Sequence, residues 1–164
     1  MLRKLSTLLA FQIGSEVSQN ELSRTLGIDV KTVARYLTLL EKSFVILPIG
    51  AYAKNLRNEV AKSKKYYFFD LGIRNALTNQ FLSLDRRTDI GVLWENFLFI
   101  ERMKKQQYAR MIAQYYFWRT YQGLEVDMVE LIAAEKLQAF EFKWSTQHWK
   151  VPQQFKKAYD ADVQ

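Results

Sequence analysis

Residues 18–43, SQNELSRTLGIDVKTVARYLTLLEKS, constrain the fold of this chain more than any other stretch. Ser18 and Glu21 stand at the spacing of a capping box, in which each side chain satisfies a free amide at a helix start. Leu22 and Leu26 lie one turn apart, and Gly27 stops that helix. Asp29 is placed to cap a second helix, on which Val33, Leu37 and Leu40 form one buried stripe. Two short helices joined by a tight glycine turn make a helix-turn-helix. In such a motif the exposed residues near the start of the second helix face the bases of the major groove. Here those residues are Lys31, Thr32, Arg35 and Tyr36. The alternative is that Lys31 and Arg35 are simply the solvated side of the helix.

The flanking segments extend the pattern. Leu2, Leu5, Leu8 and Leu9 follow a helical period that Gly14 breaks. Early cations followed by leucines imitate a signal peptide, but Ser6, Thr7 and Gln12 interrupt the apolar part and no small-residue cleavage site follows. After the second helix, FVILPIGAY reads as a strand bounded by Pro48 and Gly50, and KYYFFD at 65–70 as another. Between them the segment AKNLRNEVAKSKK carries Lys54, Arg57, Lys62, Lys64 and Lys65. Two strands around a basic loop would form a wing whose loop touches phosphates. DLGIRNAL then reads as a short closing helix. Through Leu77 there are twelve Lys/Arg against six Asp/Glu, and after it twelve against eleven, within a net charge of +7. So basic a first half points to an anionic partner, and double-stranded DNA is the expected one.

The polar run TNQFLSLDRRTD reads as a linker, which divides the chain into residues 1–78, a linker at 79–85 and a second domain at 86–164. In that second part IGVLWENFLFIERMKK is an amphipathic helix preceded by Thr88 and Asp89 as candidate caps. AQYYFWRT, LEVDMVELI and LQAFEFKW follow as an antiparallel meander, and a helix starts near Pro152. Alternation along a strand puts Glu125 with Asp127, and Glu141 with Lys143. A turn centred near Ala134 then sets Asp127 opposite Glu141 and Glu125 opposite Lys143, with Cβ atoms roughly 5 Å apart. Two carboxylates so close repel unless a cation sits between them, and hard divalent cations favour such oxygen ligands. A neighbouring lysine can orient water or stabilise charge developing on a phosphate. The alternative is a solvated sheet face on which Glu125 and Lys143 make a cross-strand ion pair.

Other candidates are excluded or weaker. With no cysteine, disulfides and thiolate-zinc sites are ruled out, and an intracellular, cytoplasmic setting is the simplest expectation. No apolar run approaches the roughly 18 residues that cross a bilayer, so no membrane partner is expected. His148 is the single histidine, which rules out a multi-histidine metal site. Tyr115, Tyr116, Phe117 and Trp118 offer rings for base stacking, but alternate members of a strand face a core, and packing is the expected role.

The elements GLEVDMV and FEFK resemble the motifs of the PD-(D/E)XK nuclease superfamily: an acidic residue on one strand, then Glu-x-Lys on the next. Asp127, Glu141 and Lys143 match them, and WENF places Glu95 where such folds often carry a further acidic residue on the first helix. The whole chain resembles the C-terminal half of a family of bacterial and archaeal AAA+ ATPases, through LSRTLGIDVKTVARYLTLLEKSFVI, KYYFFDLGIRNAL, GVLWENF and FWRTYQGLEVDMV. That resemblance implies an α+β fold: a winged helix-turn-helix followed by a PD-(D/E)XK restriction-endonuclease-like α/β domain of unknown function. It implies magnesium or manganese held by Asp127 and Glu141 with support from Glu95, and Lys143 acting on water or the phosphorane. It also implies an ATPase domain that normally precedes this segment on the same chain. None of the six glycines is followed by lysine, so no phosphate loop is present and ATP binding of that kind is not expected. The superfamily core has a further strand after its last helix, near where this chain stops at Gln164. The Gln-x-x-x-Tyr helix of some relatives is not matched, since Phe155 stands four residues before Tyr159. The expected function is a DNA-binding protein with a metal-dependent endonuclease-like site. The alternatives are a non-catalytic DNA-targeting or regulatory module of the ATPase, or a protein-interaction domain.

Overall fold

A computed structural model describes residues 1–53, 63–132, 136–145, 152–159 and the backbone of 162–163. The fold is mixed α+β, and the chain divides into two compact units. One comprises Met1–Pro48 with Ser63–Asn96, the other Ile49–Lys62 with Phe97–Gln164. The division interleaves along the chain, whereas the sequence reads as two consecutive segments.

In the first unit, α1 (Leu2–Phe11), β1 (Glu16–Val17), α2 (Gln19–Leu26) and α3 (Val30–Lys42) lead into β2 (Ile46–Ala51), which runs on into the second unit. β3 (Lys64–Phe68), α4 (Leu71–Thr78), a 3-10 turn at Leu84–Arg86 and the first turns of α5 (Ile90–Tyr108) follow. The helices start where side chains satisfy their first amides. Ser18 accepts the Glu21 N–H at 3.3 Å, Asp29 the Thr32 N–H at 2.9 Å, and Asp70 the Gly72 N–H at 2.6 Å. α2 stops at Gly27, whose φ of +65° is the left-handed conformation that glycine adopts freely. Leu5, Leu9, Leu22, Val33, Leu37 and Leu40 then meet Ile46, Tyr66 and Phe68 in one core. β1 pairs antiparallel with β3, and β3 lies between β1 and β2.

The segment read as a linker is held in place by charge. Arg74 is buried and donates to the Ala10 carbonyl at 3.0 Å and to Asp89 at 2.5 Å. Arg87 donates to both oxygens of the same carboxylate, at 2.9 and 3.0 Å. Hydrogen bonds from Arg87 first, and then Arg74, hold the Asp89 carboxyl down at about 2 against the opposing effect of burial. Asp89, expected as a cap for α5, therefore uses its carboxylate as an arginine clamp. Just inside α5, Asn96 accepts the Phe68 N–H at 2.7 Å and donates to the Phe68 carbonyl at 2.8 Å. Its amide thus stands in for a strand partner on β3.

In the second unit the strand order is β2, β4 (Ala113–Arg119), β5 (Glu125–Ile132), β6 (Lys136–Phe140) and β7 (Asp162–Val163). β4–β5 and β5–β6 are antiparallel, as the meander expectation requires, while β2–β4 and β6–β7 are parallel. β7 is a short strand after the last helix, at the place where the resemblance calls for one. α6 (Gln153–Tyr159) covers one face through Phe155 and Tyr159, with the Phe155 ring 5.1 Å from Trp118. On the other face the later part of α5 sets the Arg102 guanidinium 4.0 Å over the Phe140 ring. Arg102 also grips the fully buried Glu130 with two bonds of 2.7 and 2.9 Å, and Gln106 adds a third at 3.1 Å. Such saturation is what a buried carboxylate needs to stay in place. Among the described residues no helix is long and apolar enough to cross a membrane.

Candidate functional site

The hairpin register follows the sequence reading. Met128 pairs with Phe140, Val129 with Ala139 and Ile132 with Lys136. Extended one residue past Phe140, that register sets Asp127 across from Glu141. β6 nevertheless ends at Phe140, four residues short of the expected Trp144, and the reason is local. The Phe142 N–H donates to the Asp127 side chain at 2.8 Å, so a carboxylate oxygen takes an amide that a strand carbonyl would otherwise receive. Asp127 is buried and helps to turn the chain out of the ladder.

Glu141 therefore sits just beyond the strand, its side chain largely enclosed and ion-paired through Oε1 with Lys143. Its Oε2 is buried with no hydrogen-bond partner among the described residues. Burial pushes the Glu141 carboxyl above its ordinary value, the Asp127 charge pushes the same way, and the Lys143 bond opposes both. Glu125, expected opposite Lys143, lies 4.0 Å from Arg119. Two oxygen donors with an orphaned buried atom between neighbouring carboxylates suit a hard divalent cation, magnesium or manganese. Glu141, Asp127 and Lys143 are thus brought together. Among the described residues, no three acidic or histidine side chains gather into a cation-sized cluster.

Glu95 belongs to the first unit. There it accepts the Tyr67 hydroxyl at 2.7 Å and lies 3.5 Å from the Lys65 ammonium. A Cβ at Gly14, where φ is +73°, would come within 3.3 Å of the Glu95 carboxylate, so glycine is needed there on both counts. The support role expected of Glu95 has to be weighed against these bonds. Lys65 also differs from its expected place as a wing cation: it is only 2% exposed, and its charge is directed at Glu95. Alternation along β3 explains this, because Lys64 next to it is exposed. Lys62 and the rest of the basic loop lie outside the described residues, as does His148.

On α3, Lys31 and Arg35 are exposed one turn apart and Tyr36 is half-buried against the core. Thr32 donates its hydroxyl to Asp29 at 2.6 Å, so its proton is committed to the helix cap. That bond, before any other cause, holds the Asp29 carboxyl below its ordinary range. Phe117 and Trp118 are buried, in keeping with the packing role expected of that aromatic run.

The chain is 32% identical over 135 residues to the uncharacterized protein Mb2031c of Mycobacterium bovis, and equally to the uncharacterized protein Rv2008c of Mycobacterium tuberculosis. Each match takes in 79% of this chain and 29% of the relative, so the chain spans less than a third of their length. No solved structure matches it. Residues 90–164 match the domain of unknown function DUF4143. Residues 1–84, more than half of the 164, match the domain of unknown function DUF8612, and the chain belongs to that family.

Proposed function

We propose that this protein binds double-stranded DNA through a winged helix in its first unit and cleaves it at a nuclease-like site of PD-(D/E)XK type in its second. On this reading it corresponds to the C-terminal part of an AAA+ ATPase, which accords with relatives more than three times as long as the matched region. The observation that carries the cleavage reading is Glu141: a desolvated carboxylate beside Asp127, held on one oxygen by Lys143, with the other buried and unpartnered. Asp127 and Glu141 would hold magnesium or manganese, which supplies Lewis-acid stabilisation of the phosphate and a more acidic water. Lys143 fixes the orientation of Glu141 and, with its ammonium part-exposed, lies ready to steady charge developing on a phosphate. The exposed Lys31 and Arg35 of α3 support the DNA-binding reading, since a helix in the major groove presents such residues to bases and phosphates.

The test is nicking of supercoiled plasmid in magnesium or manganese, with wild type beside Asp127→Ala and Lys143→Ala. Cleavage by the wild type, lost in both variants, is the expected result. A wild type that binds plasmid and leaves it intact overturns the nuclease reading. The bonds of Glu95 to Tyr67 and Lys65 favour a second reading, a non-catalytic DNA-targeting or regulatory module.

A further inference from the structure

Large aromatic side chains in the second unit are mostly inside it, as Phe117, Trp118 and Phe155 are. Tyr121 and Trp144 are different: they are 68% and 49% exposed. Tyr121 sits in the turn between β4 and β5. That turn is fixed by Thr120, whose N–H meets the Leu124 carbonyl at 2.9 Å and whose hydroxyl accepts the Leu124 N–H at 3.1 Å. β5 leaves this turn at Glu125, and β6 runs back toward it, so the residues after Phe140 return to the same end of the sheet. Tyr121, Trp144, Asp127 and Glu141 therefore all belong to one end of the second unit.

The charges at this end are specific. Arg119 and Lys143 are part-exposed cations, each beside a carboxylate, Glu125 and Glu141 respectively. With Asp127, the five ionised groups sum to one negative charge. Phosphates alone are not drawn to such a surface, whereas a divalent cation on the carboxylates reverses its sign. A ring face is different, because it attracts a nucleobase of any sequence and at any local charge.

We propose that this end of the sheet is a platform for single-stranded DNA, on which Tyr121 and Trp144 each stack an unpaired base while the cation between Asp127 and Glu141 takes a phosphate. The cation part rests on the nuclease-like reading above, and the stacking part does not. Bases inside an intact duplex cannot reach the rings, so the substrate at this site is a frayed, nicked or displaced strand rather than closed duplex.

Fluorescence anisotropy of a labelled oligothymidylate tests this, using calcium as a cation that suits the same oxygen ligands. Wild type should bind the oligomer. Tyr121→Ala and Trp144→Ala should each weaken binding roughly tenfold or more, the effect of losing one base–aromatic stack. Trp144→Phe keeps a ring and should retain most of the affinity, which separates stacking from damage to the fold. Binding of a closed duplex hairpin should be unchanged in all three variants, and should fall when Lys31 and Arg35 are replaced by alanine. If the oligomer binds equally well with calcium removed by chelator and the ring variants still weaken it, stacking stands and the cation part falls. Failure of wild type to bind the oligomer overturns the platform whatever the plasmid result, as does full affinity in both alanine variants.

Discussion

Asp89 is the residue on which most of the first unit's buried charge converges. Arg74 and Arg87 both bind it, and its carboxyl is lowered from 3.8 to about 2. A depressed acid stabilises the fold fully above its unfolded value and loses that contribution as pH falls through the folded one. The stability difference between wild type and Asp89→Asn should therefore be largest above pH 4 and shrink between about pH 4 and pH 2. Urea midpoints measured across that range check it, and a constant difference would refute it. Asp89→Ala leaves the buried Arg74 uncompensated and should cost on the order of 3 kcal/mol. None of this was legible in the sequence, where Asp89 reads as an ordinary cap at the right distance from a helix. The same holds for Lys65 and Glu95. Their ion pair joins residues thirty positions apart, and nothing local shows that one lysine of a basic run turns inward.

The elements themselves were far more legible. Caps and stops are short-range chemistry: a hydroxyl or carboxylate three residues from the amide it satisfies. Asp29→Ala should lower stability by about 1 kcal/mol and release the Thr32 hydroxyl, both measurable by chemical denaturation and by proton exchange at Thr32. An unchanged denaturation midpoint would show that the bond contributes nothing. The hairpin register was also readable, because a turn position and a period of two fix which residues face each other. What the period does not reveal is where the ladder ends. β6 stops at Phe140 because the Asp127 carboxylate takes the next amide, a side-chain-to-backbone choice invisible to alternation. The parallel β2–β4 pairing was equally out of reach, since its partners are separated by the helices of both units.

At the scale of the whole molecule, the excess positive charge of the first 77 residues is a claim about salt. If Lys31 and Arg35 each neutralise one phosphate, replacing both by alanine should reduce the slope of log affinity against log salt by about two. Duplex binding measured at three or more salt concentrations gives that slope, and an unaltered value would remove α3 from the interface. The interleaved division of the chain bears on how it can be cut. A fragment ending at residue 84 follows a natural-looking boundary, yet it includes 49–62, which pack with the other unit, and omits Asp89 and Asn96. Without them Arg74 keeps no carboxylate and the Phe68 backbone loses both bonds to the Asn96 amide. Such a fragment should express as an aggregating or protease-sensitive chain, whereas one extended through α5 to Tyr108 should give a resistant product. The smallest autonomous piece of this protein is set by its side-chain ties and not by the boundary between its two domain matches.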